Sequence, residues 1–522
     1  GLIVELRTLL RRHWFIVLVI FLLVFSVGLR FLSAGLMHYD SVRLAQTIES
    51  NLETGTFQGI SAGGRYGMVV VASAVYYPFF LAGQNADLAV RLTGVLMLAL
   101  SAVAVYLLTF EISRSRFAGV AAALLMAATP LFIIPATYGK EHTTAVFFLV
   151  MACYCALRGH RSYAALWPIA ASFLFVFSLT VRETFVLALP VFVLFVLYPR
   201  LRRTEGGLRV VWHSQWHVGV VSLVVFLALV GGLFFGAQLR AVLGDRDATA
   251  LSWSLTKVKA GISDVARNGR FVWPLYLIGI VAVWRSGRDF LAPLLVWVAP
   301  FFIIVNAGGY LPRLLDVVLV PLVIIAGFGL AFVWARSQVF ASLVLLALVL
   351  STFWTALPFL ELRHNENTLQ DIAGLVANVT EPNALIIAMD ESAFLEYYGS
   401  RQGTSVSPNV ENRFEVARWI VSLQRNGTPL YVLQSSFDYP DGLLLRNFLY
   451  NNFDTTVVGA RVMENYHDAE AGVLLRNVSI IRIGAPKFDP DRMGWYEVYW
   501  RGGIDTTEDS QELAAWLAAG LS

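Results

Sequence analysis

Apolar runs of about twenty residues alternate along this chain with short polar connectors, from the N-terminus to about residue 358. A run of that length spans a bilayer as a helix. Such runs lie near 14–36, 90–109, 117–136, 143–157, 163–181, 184–198, 217–238, 271–285, 290–307, 315–335 and 338–358, which predicts eleven transmembrane helices. Beyond about 360 the pattern changes. The stretches NALIIAMDESAFLEYYGSR, GTPLYVLQSS, DTTVVGARV and VSIIRIG read as short strands between helical stretches such as FEVARWIVSLQR and GLLLRNFLYNNF. Alternating strands and helices predict an extracytoplasmic α/β domain over 361–522, after a membrane domain over 1–360.

The positive residues then orient the helices. Arg7, Arg11 and Arg12 precede the first run, Arg114 and Arg116 follow the second, and Arg158 and Arg161 follow the fourth. YPRLRRTEGGLR follows the sixth, Arg285 and Arg288 the eighth, and Arg336 the tenth. With eleven spans all of these fall on one side, which the positive-inside rule makes the cytoplasm. The N-terminus is then cytoplasmic and the C-terminal domain outside, as in a multi-pass plasma-membrane protein. The apolar stretch GMVVVASAVYYPFFLAG, residues 67–83, would invert every later connector if it crossed. It reads as a juxtamembrane helix in a long first outer loop, roughly 37–89.

Composition agrees with a membrane protein. Hydrophobic residues make up 57% of the chain and charged residues 14%, a balance foreign to soluble domains of 522 residues. The net charge of +3 says little about partners, and no basic patch of the nucleic-acid-binding kind is present. Cys153 and Cys155 stand two apart in an apolar run, on different helix faces, and make neither a disulfide framework nor a metal knuckle. The first apolar run is too long for a signal-peptide core and reads as a retained helix.

Against that background, ionisable residues at membrane level are candidates for function, because each is costly there unless paired or hydrated. The outer connectors supply several. AGLMHYDSVRLAQTIE places Asp40 at the end of the first span, and YGKEHTT gives Lys140, Glu141 and His142. TVRETF gives Arg182 and Glu183, and GGYLPRLLD gives Tyr310, Arg313 and Asp316. Arg65 and Tyr66 enter the juxtamembrane helix, while Lys257, Lys259, Arg267 and Arg270 lie in the outer loop 239–270.

Each has a plain structural alternative. Asp40 can cap the amphipathic stretch 41–50, Arg182 and Glu183 can pair with each other, and Arg313 can pair with Asp316 one turn on or snorkel. Glu141 and His142 are too few to define a metal site. Taken together, however, outer acids and bases above an apolar bundle suit sugar transfer from a lipid phosphate. A carboxylate deprotonates the acceptor hydroxyl and basic groups hold the phosphate.

The order of these segments resembles the GT-C membrane glycosyltransferases over roughly residues 1–360. A first outer loop opens on an acid, juxtamembrane helices follow, then ADLAVRLTGVLMLALSAVAVYLL and ALLMAATPLFIIPATYGKEHTT lead to a second acidic loop. YLPRLLDVVLVPLVIIAGFGLAF resembles the late family segment in which a basic residue precedes a proline-containing helix. The nearest branch is that of the protein O-mannosyltransferases and lipid A aminoarabinose transferases.

The resemblance implies an inverting enzyme with a polyprenyl- or dolichyl-phosphate sugar as donor and a glycan, lipid or protein as acceptor. It assigns Asp40 as base, Glu141 as the second catalytic acid that places substrate or a metal, and Arg313 at the donor phosphate. Lys257, Lys259 and Arg270 are further phosphate-binding candidates. Arg65, Tyr66, His142, Arg182, Glu183 and Tyr310 are candidates for substrate binding. There are departures. Ser41 follows the first acid where an acidic residue is common, GGRYG replaces a proline-rich signature, and the second loop lacks a two-acid motif. No cofactor follows from the residues, and a divalent metal stays open. The rival readings are a transporter or flippase for lipid-linked glycans and a non-catalytic subunit of an assembly complex.

Overall fold

The computed structural model describes residues 2–60, 65–162, 166–201, 216–230, 253–269, 271–286, 288–307, 312–389, 391–408, 412–438, 442–468 and 472–491. These fall into two units. One comprises residues 1–36 and 43–365, the other residues 37–42 and 366–522.

The first unit is helical. It holds α1 (Leu2–Arg30), most of α2 (Tyr39–Thr54), α3 (Tyr66–Leu81), α4 (Asp87–Ser113), α5 (Arg116–Ala128), α6 (Pro130–Thr137), α7 (His142–Ser162) and α8 (Leu166–Val181). Further helices include Leu255–Asn268, Trp273–Ser286, Asp316–Trp334 and Gln338–Asn365. Six stretches among the described residues are long and apolar enough to cross a membrane. They are His13–Arg30, Asp87–Ser113, His142–Gly159, Arg288–Asn306, Arg313–Trp334 and Gln338–Val379.

A seventh candidate is a bent pair. The run expected as one helix over 117–136 is two, α5 and α6, meeting at 57°. The cause is local. Pro130 has no N–H to bond back into α5, and a residue before proline is pushed out of the helical region. Thr129 accordingly has φ −68° and ψ 125°. The stretch expected as a span over 184–198 likewise opens as a 3-10 turn, Glu183–Ala188, before becoming an α-helix at Leu189. The stretch 67–83 forms α3, a 16-residue apolar helix.

Close helix packing relies on small residues, as expected where lipid gives no hydrophobic drive for association. Trp273–Ser286 packs against Asp316–Trp334 through Gly279, where a Cβ would stand 2.0 Å from the Ile325 carbonyl oxygen. Both α4 and α5 also pack on each other, and α4 packs on α7. The α4–α7 contact is tied by the Ser101 hydroxyl, which donates to the Thr143 carbonyl at 2.7 Å.

The second unit contains a five-stranded sheet in the order β2-β1-β3-β5-β4, with β1 Leu385–Ile387, β2 Gln402–Thr404, β3 Leu430–Leu433, β4 Phe453–Asp468 and β5 Gly472–Pro486. The β1–β2 and β1–β3 pairs are parallel, while β5 runs antiparallel to both β3 and β4. Helices Arg413–Arg425 and Gly442–Asn452 supply Ile420, Leu445, Phe448 and Leu449 to a core shared with Ile387, Val432 and Ile481.

Replacing Gly279 by leucine should force Trp273–Ser286 away from Asp316–Trp334. Overpacking of this kind costs about 1–3 kcal/mol. A lower thermal midpoint of the purified protein in detergent is the expected result; an unchanged midpoint would show that the crossing is looser than its backbone contact implies.

Candidate active site

The charged residues of three separate segments of the helical unit meet around one arginine. Arg182 follows α8 directly and is only 4% exposed. Its Nη1 lies 3.1 Å from Asp316 Oδ2 and 3.9 Å from Glu141 Oε1. Its Nε donates to the Thr184 hydroxyl at 3.1 Å, and its Nη2 donates to the Arg313 carbonyl at 3.3 Å. Glu141 also faces Arg65, with Nη1 at 3.4 Å from Oε1. Asp316 is fully buried, accepts the Val317 N–H at 2.8 Å and stands 3.2 Å from His142 Nδ1.

Local structure explains each placement. The loop 138–141 turns sharply on Gly139, whose φ of +81° is one that a side chain would resist. A Cβ there would also meet the Val90 carbonyl oxygen at 2.6 Å, so α4 seats the loop directly. The turn delivers Lys140, Glu141 and His142, all buried, to the start of α7. Arg65 precedes α3 with φ 31° and ψ 41°, left-handed values that cost a non-glycine residue about 1–3 kcal/mol. Next to it, Gly67 packs so tightly that a Cβ would lie 2.4 Å from the Thr180 hydroxyl, which docks the start of α3 on the end of α8. That docking brings Arg65 to the carboxylate that Arg182 also reaches.

The electrostatics follow from burial. Losing water would by itself push the Glu141 carboxyl up, but Arg65, Lys140, His142 and Arg182 together override this and hold it well below its ordinary value. Glu141 is therefore an ionised group that positions cations, and not a proton carrier near neutral pH. A phenol shares this neighbourhood. Burial raises the Tyr138 pKa, against the opposing influence of Arg363 and Arg313.

These contacts correct two expectations. Arg182 does not pair with the adjacent Glu183; its carboxylate partners are Glu141 and Asp316. Glu183 begins the 3-10 turn, and its Oε2 is buried without a hydrogen-bond partner. Asp316, expected as a minor helix partner of Arg313, is instead the buried carboxylate joining Arg182 and His142. No local spacing signals this, because its partners come from α7 and α8.

Other candidates lie elsewhere or beyond description. Arg313 sits on the 3-10 turn Pro312–Leu315. The helix Leu255–Asn268, which carries half-buried Lys257 and exposed Lys259, packs against that turn. Arg270 and Tyr310 lie outside the described residues. Tyr66 opens α3, its ring 5.8 Å from that of Phe57. In the other unit, His38 rather than Asp40 holds the cap position of α2. Its Nδ1 accepts the Asp40 N–H at 3.1 Å, and its carbonyl accepts the N–H groups of Ser41 and Val42. Asp40 stands in the first turn, a quarter exposed, with Oδ2 3.6 Å from His38 Nδ1.

Among the described residues, no group of three His, Cys, Asp or Glu side chains is placed to hold a metal ion. The surroundings of Glu141 are cationic, which suits an anion and not a divalent cation.

Comparisons with known proteins agree with this architecture. Residues 70–230 match the family model described as dolichyl-phosphate-mannose-protein mannosyltransferase. The structure is similar to ArnT from Cupriavidus metallidurans bound to undecaprenyl phosphate, with TM-score 0.60 and 17% identity over 89% of this chain and 97% of that one. It is similar to the archaeal oligosaccharyltransferase AglB from Archaeoglobus fulgidus, in complex with an inhibitory peptide and a dolichol-phosphate, with TM-score 0.55 and 12% identity over 93% and 75% of the two chains. A third likeness is to the mycobacterial arabinofuranosyltransferase AftD, with TM-score 0.56 and 15% identity over 92% of this chain and 40% of that one. No curated protein sequence matches the chain. The fold is the one these membrane glycosyltransferases share, and the described residues include six helices long and apolar enough to cross a membrane.

Two predictions follow from the cluster. Asp316→Ala would leave Arg182 buried with half its countercharge gone, and breaking a buried pair costs about 3–5 kcal/mol. Its thermal midpoint should fall far more than that of Asp316→Asn, which keeps the volume and one acceptor; equal, small losses would show that the pair contributes little. The second concerns acid. Because the folded pKa of Glu141 lies below its ordinary value of 4.5, its stabilising contribution is complete above that value and disappears as pH falls through the folded one. Glu141→Gln should lower the midpoint at pH 7 and flatten its decline below about pH 4.5. Parallel curves for wild type and variant would contradict the assignment.

Proposed function

We propose that this protein is a glycosyltransferase that moves a sugar from a polyprenyl- or dolichyl-phosphate donor to an acceptor on the outer face of the membrane. The observation that carries the reading is the largely buried, cation-rich cluster of Arg65, Lys140 and Arg182 around Glu141 and Asp316, within a GT-C fold. Cations gathered at one place in this fold are a setting for a phosphate. The names of two structural neighbours point the same way, one bound to undecaprenyl phosphate and the other to a dolichol-phosphate.

In this reading Asp40 is the base. It takes the proton from the acceptor hydroxyl as that oxygen bonds to the anomeric carbon. The bond from that carbon to the phosphate oxygen breaks in the same step, so the configuration inverts and the lipid phosphate departs. Arg313, with Lys257, Lys259 and Arg270, meets the negative charge that grows on the departing phosphate. Glu141 holds Arg65 and Arg182 in place, and Tyr66, His142, Glu183 and Tyr310 are the candidates for binding the sugar. The topology that accompanies the reading has eleven spans, a cytoplasmic N-terminus and an outer domain over 361–522 that shapes access of the acceptor.

Asp40→Asn is nearly isosteric and tests the base directly. With polyprenyl-phosphate mannose as donor, transfer should fall by about 10²–10⁴-fold, the usual contribution of general-base catalysis. Donor binding and the yield of folded protein should stay near wild type. Retained transfer would remove Asp40 from the chemistry, and loss of folded protein would assign it a structural part.

A further inference from the structure

The helix that delivers Asp316 to the cluster around Arg182 has a second group of cations at its far end. Phe332 lies sixteen residues beyond Asp316 on Asp316–Trp334, about 24 Å away at the helical rise. The guanidinium carbon of Arg336 stands 3.6 Å from the centre of the Phe332 ring, and that of Arg285 stands 5.8 Å from the same centre. A third, that of Arg288, lies 4.7 Å from the centre of the Trp284 ring. Arg285 comes from the last turn of Trp273–Ser286, Arg288 from the start of the helix Arg288–Val298, and Arg336 from just past Asp316–Trp334. Those three helices pack on one another, so the arginines are gathered by tertiary structure.

No acid matches these charges. Arg65, Arg91, Arg114, Arg158 and Arg182 each face a carboxylate. Among the described residues, none stands within ion-pair distance of Arg285, Arg288 or Arg336. All three are exposed. Arg336 Nη1 donates to the Phe332 carbonyl at 2.9 Å, one of the last carbonyls of its helix, which lack an intrahelical N–H. The plain alternative is a set of hydrated arginines that orient the chain in the membrane. Orientation requires charge on one side of the bilayer, and does not require two charges on one ring. An exposed cation–π contact is weak, and two guanidinium groups beside one phenyl repel each other. The ring alone does not account for the gathering.

The depth of the group is also marked. Leu277, Val281 and Trp284 follow one another at helical spacing on Trp273–Ser286 and are exposed. Gly279, on the opposite side of that helix, is the residue seated against Ile325. The exposed stripe therefore turns away from the bundle, toward hydrocarbon in a membrane. It ends at Trp284, the ring on which Arg288 sits. Two residues past Phe332, Trp334 stacks on Phe117 with ring centres 4.0 Å apart. Tryptophan and arginine at the end of an apolar helix face mark the water boundary of a bilayer, where phospholipid heads lie.

We infer that Arg285, Arg288 and Arg336 form a headgroup site for an anionic bilayer phospholipid, of which phosphatidylglycerol is a simple example. A guanidinium gives two parallel hydrogen bonds to phosphate oxygens, and one phosphodiester between Arg285 and Arg336 offsets the repulsion of their charges. The rest of the head decides the class. Ethanolamine or choline would add a cation to three unmatched ones, whereas glycerol adds hydroxyls and no charge. Basic pockets between helix ends hold anionic lipid heads in this way. A lipid bound here ties three helix ends together, far from the Arg182 cluster. It involves neither sugar donor nor acceptor, so the site stands or falls independently of sugar transfer. In the topology of the proposed function it faces the cytoplasmic leaflet.

The test is titration of the full-length protein in detergent, read by native mass spectrometry, with phosphatidylglycerol, phosphatidylethanolamine, undecaprenyl phosphate and inorganic phosphate as separate probes. Wild type should bind phosphatidylglycerol about tenfold more tightly than phosphatidylethanolamine. Arg288→Gln and Arg336→Gln should each weaken phosphatidylglycerol binding about fivefold, the effect of one basic residue at an anionic membrane surface. Arg285→Gln combined with Arg336→Gln should bring it down to the level of phosphatidylethanolamine. Arg461→Gln, which removes an exposed arginine from β4, should leave it unmoved. Equal affinity of wild type for the two phospholipids overturns the inference, as does undiminished phosphatidylglycerol binding by the double variant. An equal loss in Arg461→Gln reduces the effect to net charge and also overturns it. Displacement of phosphatidylglycerol by equimolar inorganic phosphate assigns the arginines to a free anion. Arg336-dependent binding of undecaprenyl phosphate tighter than that of phosphatidylglycerol assigns them to the carrier. Either result overturns the phospholipid site. If the double variant does not fold, the two single variants at exposed positions decide, and unchanged affinity in both overturns the site.

Discussion

A guanidinium inside an apolar helical bundle must be matched in charge, and the matching of Arg182 organises the upper part of the helical unit. Its two carboxylate partners come from the loop before α7 and from the start of Asp316–Trp334. Neither segment is near α8 in the chain, so satisfying one cation fixes three backbones relative to one another. Glu141 then recruits Arg65, and the close seat of Gly67 on Thr180 makes that reach geometrically unavoidable. Buried pairs of this kind are a poor source of net stability against an apolar alternative. Their value here is in register, because the cluster forms only when every contributing helix is in place.

The unfavourable backbone at Arg65 belongs to the same account. A left-handed residue other than glycine persists only where its surroundings over-determine it. The α3–α8 contact and the Glu141 carboxylate supply that determination from two sides. Strain, cations and ionised acid are therefore concentrated in one region, while the remainder of the helical unit follows the simple rule of small residues at helix crossings.

Much of the helical unit was legible from run length alone. The segments of α4, α7 and Asp316–Trp334 announce themselves because twenty apolar residues have few other uses. The break between α5 and α6 was written in Thr129–Pro130, but an apolar window averages over a single proline. Strands β1, β3, β4 and β5 showed as β-branched runs, whereas β2 is Gln-Gly-Thr and has no alternation to read. The site was half legible. Glu141, His142 and Arg182 stand out as charges at span ends. Asp316 stands out as a charge too, but its role does not, because sequence reveals only the helical neighbour Arg313 and hides partners on other helices.

The kink between α5 and α6 leaves a mark on a distant helix. The Leu131 N–H, one of the first in α6, has no carbonyl of its own helix to bond, and it is taken by the Asn268 side-chain oxygen at 2.9 Å. Asn268 ends Leu255–Asn268, and at the opposite end the Ser254 N–H is taken by the Asn306 side-chain oxygen, also at 2.9 Å. An amphipathic helix that looks like a free arm is therefore a strut, pinned at both ends by amide side chains from or to neighbouring helices. Lys257 and Lys259 ride on it. Any displacement that carries those lysines toward or away from the Arg313 turn must also pull on α6, and so on the loop that bears Glu141.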